Sequence, residues 1–147
     1  ERRLRMALRP MRMFEPLPAP GDGPIRIPIV ETPFGDEGDW VRAIASLEPP
    51  ALIVQASAAG HMSEPVSDAC EELVRSGIPV IMASRTGSGT TLEKSYGYPG
   101  SEQDLIARGL IPTGFLTARK TRLLVHVLLE SGADEATIRR EIAARGF

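Results

Sequence analysis

The sequence predicts an α/β domain in which a short parallel sheet of about four strands lies between two layers of helices. Short apolar runs alternate along the chain with segments of helical periodicity, which is the pattern of consecutive βαβ units. Two of the runs, 51–54 and 79–83, are continuously apolar, as expected of parallel strands buried on both faces. The 147 residues, 42% of them hydrophobic, suffice for one domain with a substantial core. These observations predict a three-layer, Rossmann-like domain with right-handed crossovers.

The first strand and the first helix are predicted in the amino-terminal third of the chain. Ile25–Val30 is a short apolar strand, and Pro28 removes one donor from its ladder, which predicts a strand that lies at a sheet edge or is paired on only one side there. After a glycine-bounded turn at Gly35–Gly38, Asp39 is expected to cap a helix Trp40–Leu47. The side chains predicted on the inner face of this helix are Trp40, Ile44 and Leu47.

A second strand, Ala51–Gln55, leads through the small-residue loop Ser57–Gly60 into the second helix. Ser63 is expected to begin this helix, which runs to about Ser76 and ends at Gly77. Its predicted inner face consists of Val66, Ala69, Cys70 and Leu73.

The third strand, Pro79–Ser84, is followed by a long glycine-containing loop, Arg85–Gly100. Ser101 and Asp104 then form a pattern close to a capping box, which predicts the start of a short third helix. A fourth strand is predicted at Leu110–Thr113.

The last two predicted helices each follow a capping residue. Thr117 is expected to cap a strongly apolar helix that runs to about Glu130. Asp134 is expected to cap the final helix, Glu135–Arg145.

Charge and composition argue against several kinds of partner. The formal net charge of −2 argues against nucleic acid or an anionic membrane as the main partner. No apolar run approaches the roughly 20 residues that a membrane span needs. Because the sequence has no Cys/His cluster with metal spacing, we expect no metal and no cofactor. The one cysteine, Cys70, is expected to be a buried, inert thiol, and we expect a cytoplasmic protein.

The first 24 residues differ in composition from the rest of the chain. Arginines among leucines and methionines precede a proline-rich stretch, so we interpret 1–24 as the end of an amino-terminal domain with its linker, and 25–147 as the α/β domain. A basic arm that binds anions is the alternative. Because the chain begins at Glu1 rather than Met, we expect a fragment of a longer protein. The arginines of this segment are Arg2, Arg3, Arg5, Arg9 and Arg12.

Two loops are predicted outside the carboxyl ends of the strands, where open α/β sheets bind ligands: Ala56–Met62 and Arg85–Gly100. In the first loop, Gly60 permits close backbone approach to a ligand or partner. His61 follows it and could donate a hydrogen bond to a carboxylate or a carbonyl. The alternative is that His61 is a solvent-exposed residue at the start of the second helix.

The second loop contains several further candidate residues. Arg85 either binds a carboxylate or clamps the loop or a domain interface. Tyr96 and Tyr98 either form a subunit contact or recognition site or pack over the domain's own sheet edge. Thr86–Thr91 lacks the third glycine of a dinucleotide motif and does not run into a helix, so no helix amino terminus is expected to face it. Most carboxylates, including Glu102, are interpreted as solvated helix faces.

The order of these segments resembles the carboxy-terminal domain of bacterial L-asparaginases and glutaminases. The resemblance covers roughly residues 25–129, and no single motif in it is diagnostic. The segments that carry it are the strand 51–55 with the turn Ser57–His61, Gly77–Val80 with Ser84–Arg85, and Gly109–Leu124.

The resemblance implies an enzyme that hydrolyses the side-chain amide of asparagine, and often of glutamine, and releases ammonia. In that family the nucleophilic threonines belong to the amino-terminal domain, so no catalytic residue is expected in this chain, which would be inactive alone. The resemblance also implies a homodimer or tetramer in which this domain closes a neighbouring subunit's active site, with the small amino-acid substrate at the interface. His61, beside Gly60, stands where the family commonly has an asparagine that contacts substrate, and Glu93 is the nearest match to an acidic contact.

The sequence is also compatible with two other functions. A non-catalytic binding or assembly module of the same fold would hold a small carboxylate near His61 and Arg85. A small nucleotide-binding α/β protein is disfavoured by the incomplete glycine pattern at 86–91.

Overall fold

The computed structural model describes residues 14–21, 23 and 25–147. In these residues a four-stranded parallel sheet has its strands side by side in chain order. The strands are β1 (Ile29–Glu31), β2 (Leu52–Ala56), β3 (Val80–Ser84) and β4 (Ile111–Pro112). The helices are α1 (Asp39–Ala45), α2 (Glu64–Arg75), α3 (Glu102–Ala107), α4 (Ala118–Glu130) and α5 (Glu135–Gly146). The predicted α/β fold with a short parallel sheet between helices is confirmed.

The strand order explains how the helices divide into two layers. Each new strand is added on the same side of the previous one, so crossovers of one hand place all the connecting helices on one face of the sheet. Val54 of β2 accordingly packs in a cluster with residues of α1, α2 and α3. Ile53 and Ile81 point to the opposite face and pack against α4 and α5. The central strands are therefore buried on both faces, as their continuous apolarity predicts.

The helix boundaries agree closely with the local capping signals. α2 begins after Ser63 and is followed by Gly77 with φ of 85°, and its four predicted inward side chains are all buried. The Thr117 hydroxyl accepts from the backbone N–H of Lys120 at 3.4 Å, which begins α4. The Asp134 carboxylate accepts from the N–H of Thr137 at 2.8 Å, which begins α5.

The predicted capping box of α3 does not form, because neither side chain bonds the backbone N–H group that this motif requires. The Asp104 carboxylate reaches back and accepts from the N–H of Gly100 at 2.8 Å. The Ser101 hydroxyl instead donates to the carbonyl of Tyr96 at 2.7 Å, so it ties the preceding loop to the helix rather than capping the helix itself.

The predicted inner face of α1 is confirmed for Ile44 and wrong for Trp40 and Leu47. Val41 is the buried residue of this helix, Ile44 packs partly against the core, and Trp40 is exposed. The helix also ends at Ala45, so Leu47 lies beyond it and is exposed. Two apolar stripes compete in this sequence, and packing against α2 selects the one that contains Val41. The helix is preceded by Gly38, whose N–H donates to the Asp36 carboxylate at 2.8 Å, rather than capped by Asp39.

The described part of the predicted linker packs on the last helix. The guanidinium of Arg145 lies 4.7 Å from the ring centre of Phe14 and donates to the Glu15 carbonyl at 3.2 Å. β1 begins at Ile29, later than predicted, and occupies the sheet edge that Pro28 indicates. The predicted basic arm lies outside the described residues. Within the described residues, no helix has the length and apolarity needed to cross a bilayer.

Candidate functional site

The carboxyl ends of the first three strands surround an open cavity of about 420 Å³, which we call the His61 cavity. The segment after β1 contributes Thr32 and Phe34, the turn after β2 contributes Ser57 and His61, and the long loop after β3 contributes Tyr98. The cavity therefore lies where an α/β sheet is expected to bind ligands, and it includes residues of both loops identified in the sequence.

The turn that presents His61 has a conformation that requires a glycine. Ser57 and His61 exchange two backbone hydrogen bonds, each of 2.9 Å, which close the turn tightly. Gly60 has φ of 110°, a region in which side-chain-bearing residues are strained. Ala58 has φ of 46° and adopts a left-handed conformation without the freedom of a glycine. The turn thus stores backbone strain next to the cavity.

Two hydrogen bonds from the following strand and loop hold this turn in place. The Ser84 hydroxyl at the end of β3 donates to the carbonyl of Ala58 at 2.6 Å. The backbone N–H of Leu92 donates to the carbonyl of Ala59 at 2.9 Å. The position of His61 is therefore determined by the ends of two adjacent strands and by the long loop.

A fully buried carboxylate lies behind His61. The Nε2 atom of His61 is 3.0 Å from Oε2 of Glu102, which is 0% exposed, whereas the His61 side chain is 18% exposed. The other oxygen of Glu102 accepts from the backbone N–H groups of Ser95 and Tyr96, both at 2.7 Å. Burial acts to raise the pKa of Glu102, but these N–H donors and His61 together outweigh it, so the pKa lies below its usual value. Glu102 is therefore ionised at neutral pH and accepts from His61.

The second nitrogen of His61 contacts a tyrosine on the long loop. Nδ1 of His61 is 2.8 Å from the Tyr98 hydroxyl oxygen. The rings of Tyr96 and Tyr98 stand edge-on to the imidazole, with centroids at 5.0 and 5.5 Å. Glu102, His61 and Tyr98 thus form one continuous series of hydrogen bonds, which we call the Tyr98–His61–Glu102 chain.

The structure brings some of the predicted site residues together and separates others. Gly60, His61, Tyr96 and Tyr98 are neighbours. Arg85 lies instead beside a different cavity of about 320 Å³ and points its guanidinium at Glu31, 3.5 Å away at the end of β1.

Glu93 is also remote from the His61 cavity. It is exposed, lines a third cavity beside Phe115 and has no hydrogen bond or ion pair within the part of the chain described here.

Glu102 is the residue that the sequence interpretation missed. A solvated helix face was expected, which is wrong, because loop residues 95–100 fold over the carboxylate and bury it completely. The available signal was its position in the first turn of α3, directly after a long loop, where exposed amide donors favour an acidic side chain.

The segment Thr86–Thr91, which we call the glycine loop, faces the amino terminus of α4. A cavity of about 280 Å³ is lined on one side by Gly87 and Gly89 and on the other by Thr117 and Lys120 at the start of α4. The expectation that no helix amino terminus faces this loop is wrong, because β4 pairs with β3 and brings the helix that follows β4 beside the loop. This juxtaposition depends on strand order and cannot be read from the loop sequence itself.

The described residues contain no group of three or more His, Cys, Asp or Glu side chains that could hold a metal ion. Cys70 is buried against the sheet, as predicted. Burial and the charge of Asp36 raise the pKa of its thiol to about 12, so Cys70 is protonated and unreactive at neutral pH.

Comparison with known proteins gives consistent results. Residues 26–141 match the family model of the glutaminase/asparaginase C-terminal domain. A segment of 62 residues is 48% identical to a protein named probable L-asparaginase from Deinococcus radiodurans, and it covers 42% of this chain and 19% of that protein. The fold is similar to the crystal structure of a probable cytoplasmic L-asparaginase from Campylobacter jejuni, with a TM-score of 0.66 and 23% identity over 80% of this chain. The chain spans 34% of that structure.

Proposed function

Because the chain belongs to the glutaminase/asparaginase C-terminal domain family, we propose that it is the carboxy-terminal domain of an L-asparaginase-type amidohydrolase. The reaction is hydrolysis of the side-chain amide of L-asparagine, with L-glutamine as a second substrate to be tested, to give the acid and ammonia. In this proposal residues 1–24 are the end of the amino-terminal domain and the linker, residues 25–147 are the carboxy-terminal domain, and the protein is cytoplasmic. The name of the relative from Campylobacter jejuni supports that location.

The observation that carries the proposal is an organised but incomplete site at the carboxyl ends of the strands. The His61 cavity has a pinned turn and a buried carboxylate that fix its polar groups. Yet neither histidine is hydrogen-bonded to a serine or threonine hydroxyl, so the described residues offer no activated hydroxyl nucleophile of that kind. Such a half-site fits a domain that closes an active site whose nucleophile lies in another domain.

The rim of the cavity supports an assembly role. Phe34 is fully solvent-exposed, and Tyr98 beside it is half-exposed. Large exposed aromatics around a concave surface are typical of protein interfaces. We therefore place a neighbouring subunit's amino-terminal domain over this rim, in a homodimer or tetramer with the amino-acid substrate between the two surfaces.

The proposed roles of the individual residues follow from their positions. Gly60 and His61 form the turn that faces substrate, in the place where the family commonly carries an asparagine. Tyr96 and Tyr98 contribute to the contact between subunits or position the long loop, and Arg85 positions the loop through Glu31. Glu93 stays a proposed acidic contact, which would reach substrate from the side of its own cavity.

The proposal is tested by reading the DNA upstream of the Glu1 codon and assaying both forms of the protein. We expect an in-frame stretch of about 170–200 codons, the size of an ordinary domain, that encodes two threonine-bearing segments. The full-length protein should release ammonia from asparagine, and the 147-residue chain alone should not. Robust turnover by the chain alone, or an upstream stop codon or unrelated domain, would overturn the proposal.

A further inference from the structure

We propose that the His61 cavity offers the phenol oxygen of Tyr98 to a ligand, and that this oxygen acts as an acceptor for an N–H group of the ligand, such as an ammonium. His61 and Glu102 are positioning residues that set the direction of this hydrogen bond. The identity of the ligand as an amino acid rests on the proposed function, whereas the direction of the hydrogen bonds rests on this chain alone.

The direction is set at the buried end of the Tyr98–His61–Glu102 chain. Glu102 is enclosed by donors: one oxygen accepts two backbone N–H groups and the other faces Nε2 of His61 at 3.0 Å. An ionised carboxylate can only accept hydrogen bonds, so Nε2 must carry a proton and donate it. The carboxylate has no access to solvent through which a competing donor could replace His61.

In the neutral state of the imidazole, this direction continues to Tyr98. A neutral histidine that carries its proton on Nε2 leaves Nδ1 as an acceptor. The Tyr98 hydroxyl, 2.8 Å away, therefore donates its single proton to Nδ1. With that proton committed, only the lone pairs of the phenol oxygen remain available to the cavity.

Both nitrogens of His61 are occupied in this arrangement, so the imidazole itself has no free polar atom for a ligand. Tyr98 is half-exposed, lines the cavity and makes no other side-chain hydrogen bond among the described residues. A ligand ammonium or amide N–H would find an acceptor there, polarised by a buried anion two hydrogen bonds away. A ligand carboxylate would meet lone pairs instead, so the site should discriminate between an amino acid and its analogue without the amino group.

The first test measures the tautomer of His61 in the 147-residue chain by ¹⁵N NMR at pH 8.5, with His126→Gln used to assign the two histidines. We expect the proton on Nε2. In Glu102→Gln the amide oxygen can keep the Ser95 and Tyr96 donors while its NH₂ group donates to Nε2, so we expect the proton to move to Nδ1. A wild-type ring with the proton on Nδ1, or with both nitrogens protonated, would overturn the inference.

The second test compares competitive inhibition of the full-length enzyme by aspartate and by succinate, which lacks the amino group. Tyr98→Phe should weaken inhibition by aspartate about tenfold, as for the loss of a hydrogen bond to a charged group. It should change inhibition by succinate less than about twofold, within the spread of ordinary surface substitutions. Tyr96→Phe is the matched control, because the Tyr96 hydroxyl makes no hydrogen bond among the described residues, and it should leave the aspartate-to-succinate ratio unchanged. Equal losses for both inhibitors in Tyr98→Phe would overturn the inference.

The two tests also separate the inference from the proposed function. If the full-length protein hydrolyses neither asparagine nor glutamine, the proposed function fails, while the His61 tautomer and calorimetry of aspartate against succinate still decide the inference. If the enzyme is active but His61 carries its proton on Nδ1, the proposed function stands and the inference fails.

Discussion

Replacing Thr91 by valine should destabilise the fold through a single buried hydrogen bond. Thr91 is 1% exposed, and its hydroxyl oxygen accepts from the backbone N–H of Gly114 at 2.8 Å, which ties the long loop to the end of β4. Valine has nearly the same shape but no acceptor. The substitution therefore creates little cavity and leaves the buried N–H of Gly114 without a partner.

The expected loss follows from the cost of that orphaned donor. A buried N–H left unsatisfied costs about 1–3 kcal/mol. The reciprocal bond from the Thr91 N–H to the Gly114 carbonyl, at 3.1 Å, is a backbone bond that valine retains, so the loss should not exceed this range. For a chain of this size the melting temperature should fall by roughly 3 °C for each kcal/mol.

The assay is equilibrium unfolding in urea, followed by circular dichroism, with Thr86→Val as the control. The Thr86 hydroxyl also makes hydrogen bonds, but it is exposed, so water can replace it and the change should stay within about 0.5 kcal/mol. A Thr91→Val variant as stable as the control would refute the reasoning, because it would mean that water reaches Gly114 or that the loop shifts at little cost.

Two further predictions concern the strained turn and the buried carboxylate. Ala58→Gly should stabilise the chain by about 0.5–1 kcal/mol, since glycine removes the left-handed strain at this position. Ala59 has no positive φ, so Ala59→Gly should destabilise the chain by a similar amount. A loss of stability in both variants would contradict this account. Because the pKa of Glu102 is lowered in the folded state, the stability that it contributes is present above the pKa of the unfolded chain and is lost as pH falls through the folded pKa. The free energy of unfolding, measured in urea, should therefore fall less between pH 6 and pH 3 in Glu102→Gln than in the wild type. An equal fall in both proteins would show that Glu102 is not held ionised.

The parts of the fold that could be predicted from the sequence are those specified by neighbouring residues. The boundaries of α2, α4 and α5 follow from capping residues and glycines within a few positions, and they are confirmed. The burial of β2 and β3 follows from their composition alone. In each case the signal and the structure lie in the same short segment.

The parts that could not be predicted depend on contacts between distant segments. His61 meets Glu102 across 41 positions and Tyr98 across 37, and no local pattern reports either contact. Glu102 is an acidic residue in the first turn of a helix, a place where solvated carboxylates are common, and only the loop that folds over it makes it a buried partner. The same reason explains why the cavity between the glycine loop and α4 was missed.

The polar groups around His61 are already hydrogen-bonded to one another in the absence of a ligand, and this bears on what the domain contributes to binding. The turn is fixed by Ser84 and Leu92, the imidazole by Glu102, and the phenol of Tyr98 by the imidazole. A polar group that is already oriented loses little conformational entropy on binding, so more of its hydrogen-bond energy appears as affinity and selectivity. That property suits the proposed function, in which this surface recognises a small substrate while the reacting groups come from another domain. It also explains why strain at Ala58 is tolerated: relaxing the turn would move His61 away from the buried carboxylate that orients it.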